Sequence, residues 1–275
     1  MLLTSIITVF MAFIGRGYGE WALVWEDNFD GQSLDKTKWT YETGAEPKWG
    51  NHQLQYYTED RRENVRVENG HLVIEARPEP MDKSQFTSGR LHTNNGWTRG
   101  RFVVSARLPK GKHLWPAVWI MPTQNTYGNW PASGDIDIFQ FRGQKSDTVE
   151  AKAQYGGPYP NHTVSVSPLT KFTDLSVGFH TFTFEWDETE MRWLVDGQQY
   201  FMVDVHRDLW SHKGVDPYTQ IGQPFDKPFY LILNVAVGGD YFPVDVYGPQ
   251  VTPEEAKQWP KPTMEVDFVR VYQQK

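Results

Sequence analysis

The chain has 275 residues, a length suited to one large all-β domain or two small ones. A formal net charge of −7, with no cluster of lysine and arginine, argues against nucleic acid and against an anionic membrane as partners. Cysteine is absent, so disulfides and thiolate chemistry are excluded, and a core this large does not need disulfides. The 12 Trp, 13 Tyr and 16 Phe are more than ornament: aromatic rings carry large apolar area for a core, and their excess in an acidic chain also suits stacking on sugar rings.

In chain order, residues 2–14 form an uninterrupted run of apolar and small hydroxyl side chains. The run suits a signal-peptide core and is too short to span a bilayer; a buried N-terminal strand is the alternative. Gly17-Tyr18-Gly19 supplies a small-x-small cleavage pattern, giving a leader over 1–19 and a mature domain over 20–275. No later segment is apolar enough to cross a membrane. Residues 65–75 read as a hairpin about Asn69-Gly70, and residues 191–202 as a second about Asp196-Gly197, because both dipeptides tolerate positive φ. Residues 101–108, 180–186, 229–237 and 264–272 read as strands; in the last, Val269 and Val271 shift the phase of the alternation. Asn161-His162-Thr163 is an N-glycosylation acceptor in a eukaryotic secretory pathway. The helix candidate is 252–259, opened by Thr252 as N-cap, Pro253, and then Glu254 and Glu255 at the positive dipole end. With no repeat, low-complexity tract or linker, 20–275 reads as one all-β domain of two packed sheets.

The densest segment joins Trp115-Pro116-Ala117-Val118-Trp119-Ile120-Met121-Pro122 to Trp130-Pro131-Ala132-Ser133-Gly134-Asp135-Ile136-Asp137-Ile138-Phe139-Gln140. In a strand, Asp135 and Asp137 share one face, while Ile136 and Ile138 point into the core. Strict alternation would then bring Phe139 to the polar face. One bulge residue restores Gln140 to it and lines up three polar groups on one surface.

These residues resemble the family 16 glycoside hydrolases, particularly laminarinase-like endo-β-1,3-glucanases and β-1,3-glucan-binding proteins related to them. Further likeness lies in Leu54-Gln55-Tyr56-Tyr57-Thr58, Asn64-Val65-Arg66-Val67, Ser88-Gly89-Arg90-Leu91, Trp193-Leu194-Val195-Asp196-Gly197, Asn234-Val235-Ala236-Val237-Gly238-Gly239 and Val266-Asp267-Phe268-Val269-Arg270-Val271-Tyr272. The resemblance implies a β-jelly-roll sandwich of two antiparallel sheets with a concave sugar-binding cleft, acting on β-glucan with retention. The one-residue bulge, placed at Phe139, belongs to the laminarinase side of the family.

The family's strand carries glutamate, aspartate and glutamate where this chain has Asp135, Asp137 and Gln140. By resemblance these are the nucleophile, supporting-carboxylate and acid/base positions. A retaining mechanism needs two carboxyl groups roughly 5–5.5 Å apart, one to attack and one to move the proton. Asp135 is a methylene short, which draws its oxygens back by about 1 Å, a displacement that can cost ~10²-fold. Gln140 can hydrogen-bond a leaving oxygen but cannot protonate it, and loss of general acid–base help typically costs ~10²–10⁴-fold. Active relatives usually carry histidine where Gln154 precedes Tyr155-Gly156-Gly157.

By the same resemblance, Trp115, Trp119, Trp130, Asn51, Tyr56, Arg90 and Gln154 are candidates to contact sugar. The tryptophans could equally be core, and the polar residues could serve turns and strand ends. A structural calcium ion is implied at Asp267, with the carbonyls of Gly70 and Glu26 as further donors; a surface aspartate in an edge strand is the rival reading. No cofactor is required. The expectation is a secreted, catalytically impaired β-1,3-glucan-binding protein; the alternative is a working endo-β-1,3-glucanase with Asp135 as nucleophile and Asp137 as acid.

Overall fold

Alternation of buried and solvent-facing side chains builds two eight-stranded antiparallel sheets in the computed structural model, which describes residues 20–275. The leader expected over 1–19 lies outside the described residues. One sheet runs Thr163–Val166, Thr148–Tyr155, Asp135–Phe141, Leu114–Pro122, Phe229–Val237, Arg90–Thr93, Trp39–Tyr41, with Thr170–Lys171 also paired to Thr148–Tyr155. The other runs Gln198–Asp204, Glu190–Val195, His180–Trp186, Gly100–Arg107, Thr263–Gln274, His71–Glu75, Val65–Glu68, with Trp21–Asp27 paired to Thr263–Gln274. Strands distant in sequence lie side by side, as in a jelly roll. Their facing sides form one continuous core, in which Phe139 of the first sheet meets Phe182 of the second with ring centroids 4.2 Å apart.

Both hairpins form where Asn69-Gly70 and Asp196-Gly197 supply pairs of positive φ, 54° and 76° in the first, 49° and 79° in the second. The phase shift expected near Val269 has a structural cause. Between Val266 and Phe268 the strand slips one residue against Gly100–Arg107, so Asp267 is the bulge. The helix is shorter than its pattern suggested. Only Pro253–Ala256 is α-helical, with Thr252 and Glu255 forming a reciprocal capping box. Trp259 precedes Pro260, which disfavours helical backbone, and its indole instead donates to the Lys112 carbonyl at 2.8 Å.

Two strands of the first sheet set the site. Thr148–Tyr155 alternates perfectly: Val149, Ala151, Ala153 and Tyr155 are buried, which turns Glu150, Lys152 and Gln154 to the opposite face. Asp135–Phe141 is buried along its whole length, since one face meets the core and the other floors a cleft.

Candidate active site

The cleft has a volume of about 970 Å³ and its floor is a polar grid. Asp135 stands opposite Gln154, Asp137 opposite Lys152, and Gln140 opposite Glu150. Between Asp137 and Gln140, two residues of the central strand span the single step at Ala151, and against Leu114–Pro122 it is Ile138 that is left without a partner. Ile138 and Phe139 both stay in the core, and Gln140 returns to the cleft face. The bulge therefore does what the sequence required, although its unpaired residue on that side is Ile138 rather than Phe139.

Hydrogen bonds fix each member of the row. Asp135 Oδ2 accepts from Trp130 Nε1 at 2.7 Å and from Gln154 Nε2 at 3.0 Å, while its Oδ1 is buried without a partner. Asp137 Oδ2 accepts from Gln140 Nε2 at 2.6 Å. The Asp137 backbone is tied from below by the Trp193 indole, which donates to its carbonyl at 2.9 Å. Gln140 Oε1, like Asp135 Oδ1, is a buried acceptor with no partner within the protein.

Burial dominates the electrostatics of the pair. It pushes the Asp135 carboxyl up to about 6, against the opposing pull of Trp130, Lys152, Arg90 and Gln154. Asp137 is driven well above the ordinary aspartate range by burial and then by the negative charge of Asp135, with Lys152 and the Gln140 hydrogen bond opposing. The neighbouring Glu150 is held by Lys152 at 2.8 Å and by Arg142 at 3.8 Å.

Of the residues singled out as sugar contacts, Asn51, Arg90, Trp115, Trp119, Trp130 and Gln154 all line the cleft. Trp115 stacks on Tyr241 with centroids 4.5 Å apart, and Arg142 caps the other partner at 3.6 Å from the Tyr241 ring. Trp119 donates to Asn234 Oδ1 at 2.8 Å, and the Arg90 guanidinium packs between the Trp49 and Trp119 rings, 4.4 and 4.7 Å from their centroids. Tyr56 is the exception. In Gln55–Tyr57 it is the neighbouring residues, both fully buried, that turn toward the cleft sheet: Tyr57 accepts from Asn234 Nδ2 at 3.1 Å and Gln55 Oε1 from the Val237 amide at 2.7 Å. Tyr56 is on the other side of its strand and does not line the cleft.

Sequence reasoning passed over Glu150, Lys152, Tyr159, Asn234 and Tyr241, all of which line the cleft. Period-two polarity in Thr148–Tyr155 could have revealed the first two, and Asn234 lies inside a segment already noted for its likeness. Tyr159 and Tyr241 come from loops, where no period helps.

The cation expected at Asp267 meets a different arrangement. Asp267, Gly70 and Glu26 lie near the gap that Trp21–Asp27 and His71–Glu75 leave along Thr263–Gln274. The Glu26 carbonyl, however, accepts from the Lys38 ammonium at 2.9 Å, its carboxylate sits 3.4 Å from Arg270, and Asp267 lies 3.6 Å from His71 Nδ1 and 3.3 Å from Ser105 Oγ. The Glu26 carbonyl is thus already bonded by an ammonium, whereas Asp267 keeps only a long contact to His71 and a hydrogen bond from Ser105.

A two-sheet sandwich with a carboxylate-bearing bulged strand beneath tryptophan walls defines a glycoside-hydrolase type of cleft. Residues 52–241 match the Glycosyl hydrolases family 16. The chain is 42% identical to a glucan endo-1,3-beta-glucosidase of Cryptopygus antarcticus, over 94% of this chain and 95% of that protein. It is 37% identical to a beta-1,3-glucan-binding protein of Penaeus monodon, over 57% of this chain and 48% of that one. The solved laminarinase of Rhodothermus marinus superposes with a TM-score of 0.80 at 38% identity, covering 94% of this chain and 99% of the other. The chain belongs to glycoside hydrolase family 16.

Proposed function

We propose that this protein is a secreted β-1,3-glucan-binding member of family 16 whose hydrolysis is lost or strongly slowed. One observation carries the reading: Gln140 occupies the floor position from which a leaving sugar oxygen would be protonated, and its amide is spent on Asp137 at 2.6 Å. An amide cannot act as a general acid. Glu150, the nearest carboxylate across the strand pair, is engaged by Lys152 and Arg142. The aromatic walls do not depend on the missing carboxyl, since sugar C–H faces pack on indole without it. Likeness to both a glucan endo-1,3-beta-glucosidase and a beta-1,3-glucan-binding protein supports glucan as the ligand.

The test pairs retention on insoluble β-1,3-glucan with release of reducing ends from laminarin, on one preparation. Retention without release is expected; release at the rate of active relatives would overturn the reading. Export is tested by N-terminal sequencing of protein recovered outside the cell, with Glu20 expected first. A second reading, a working glucanase using Asp135 as nucleophile and Asp137 as acid, draws on the upward shift of the Asp137 carboxyl, the direction a general acid needs. It predicts measurable hydrolysis that Asp137→Asn abolishes.

A further inference from the structure

Asp135 is held at the start of its strand by two side-chain donors. Asp135 is 5% exposed, and one of its oxygens takes both the Trp130 indole N–H and the Gln154 amide. Trp130 is 41% exposed, high for an indole whose N–H is bonded to a buried carboxylate. Its ring stacks on Tyr159, 67% exposed, with centroids 6.0 Å apart and planes 26° from parallel. His162 completes the cluster, 5.8 Å from Trp130 and 5.7 Å from Tyr159. The Tyr159 amide donates to the Trp130 carbonyl at 3.1 Å, joining the two loops through the backbone as well.

We propose that Asp135 has become a positioning residue, a latch that holds Trp130 against Tyr159 as a fixed aromatic platform for a β-glucan pyranose face at this end of the cleft. The inference rests on the glucan-binding reading of the same site and deepens it. Trp130 is five residues before Asp135, so its indole must fold back over the start of the strand to reach Oδ2. A short carboxylate meets it there. A glutamate would carry its oxygens a methylene further into the cleft, past both donors. The substitution that withdraws a nucleophile thus supplies a charge-assisted anchor, and such bonds are roughly twice as strong as neutral ones. The stacked pair offers a large, exposed aromatic surface, of the kind that packs on the C–H face of a glucose ring. An indole fixed in advance spends less ordering entropy when sugar arrives.

The experiment measures laminarihexaose affinity of the full chain by calorimetry, with thermal melting of each variant as the fold control. Asp135→Ala and Trp130→Phe are each expected to weaken binding about tenfold, ~1.4 kcal/mol, and the double variant no further, because both break one interaction. Asp135→Asn, which keeps an acceptor oxygen and the side-chain length, is expected to retain affinity within about threefold of the parent. Trp115→Ala serves as the contrast. Ile120 pairs with Ile136, which puts Asp135 level with Met121, so Trp115 lies six residues further along that strand, about 20 Å away, and its loss is expected to add to that of Asp135→Ala. Unchanged affinity in Asp135→Ala, or full additivity between Asp135→Ala and Trp130→Phe, would overturn the latch. So would a parent that hydrolyses laminarin and loses turnover, not affinity, in Asp135→Ala. Failure of the parent itself to bind laminarihexaose would instead sink the glucan-binding reading.

Discussion

Restoring the two missing carboxyl features, Asp135→Glu with Gln140→Glu, is the perturbation that discriminates most sharply between binding and cutting. Position 140 is prepared for a carboxyl. Gln140 Oε1 is buried and has no partner within the protein, so an oxygen there displaces nothing. The other atom, Nε2, is 2.6 Å from Asp137 Oδ2. Glutamate at 140 would place two carboxyl oxygens at about that separation, and like charges so close cannot both ionise. One proton is then held on the pair at neutral pH, the state in which a general acid works. Returning the acid is worth ~10²–10⁴-fold, or about 3–5 kcal/mol at 1.36 kcal/mol per tenfold. Returning the methylene at 135 is worth up to ~10²-fold through reach. The two act as a unit, so the double revertant is expected to gain ~10²–10⁴-fold over the parent and each single revertant far less.

The assay is reducing-end release from laminarin, with kcat and KM determined separately. Glutamate at 135 moves the carboxylate past Trp130 and Gln154, so KM is expected to rise while kcat rises, and Gln140→Glu alone is expected to leave affinity intact. A parent already within tenfold of the double revertant, or a double revertant that folds, binds laminarin and still gains nothing, would refute the reasoning that the amide at 140 is what stops the chemistry.

Three further outcomes are expected. Trp115→Ala removes the ring stacked on Tyr241 and is expected to weaken laminarin oligosaccharide binding about tenfold by calorimetry, ~1.4 kcal/mol. Asp135 and Asp137 both have raised folded-state values, so their contribution to stability is present below the unfolded aspartate value and lost as pH rises through the folded one. Urea midpoints are therefore expected to fall as pH rises from the ordinary aspartate range through about 6, the Asp135 value, and Asp137→Asn to flatten that slope; Glu42, Asp187 and Asp196, held below their ordinary values, set a separate loss at more acid pH. Gly134 has φ +94°, and a Cβ there would lie 2.8 Å from Phe229 Cζ, so Gly134→Ala is expected to lower stability by about 1–3 kcal/mol in urea titrations.

Periodicity made much of the fold legible. Residues 180–186 became a strand with those bounds because Phe182, Phe184 and Trp186 repeat a buried face every second residue, and 229–237 did so as an apolar run buried along nearly its whole length. The row of Asp135, Asp137 and Gln140 on the cleft floor was legible from the alternation as well, since only a bulge reconciles Phe139 with Gln140. Where position depends on pairing across the sheet, the sequence was less informative. Gln55–Tyr57 is three residues long, and which tyrosine turns toward the cleft sheet is decided by its parallel partner Phe86–Ser88 and by Asn234, far along the chain. Around Asp267 likewise, the Lys38 ammonium reaches the Glu26 carbonyl from another element, a contact no local spacing shows.

The loops carry the larger consequence. Nothing in the spacing of Trp130 and Asp135 shows that the indole folds back onto the carboxylate, or that Tyr159 arrives from a separate loop to stack on it. Read along the chain, aspartate for glutamate at 135 is a lost reach of about 1 Å. Placed in the fold, the same shortening brings an anion within 2.7 Å of an indole N–H and within 3.0 Å of the amide at 154. Two of the cleft's departures from the hydrolase pattern, Asp135 and Gln154, are therefore bonded to each other, and the third, Gln140, is bonded to Asp137. Each unsatisfied buried group costs about 1–3 kcal/mol. Asp135 and Gln154 satisfy one another and Gln140 bonds Asp137, while Asp135 Oδ1 and Gln140 Oε1 stay buried without a partner, so the row is matched on one side of each residue only.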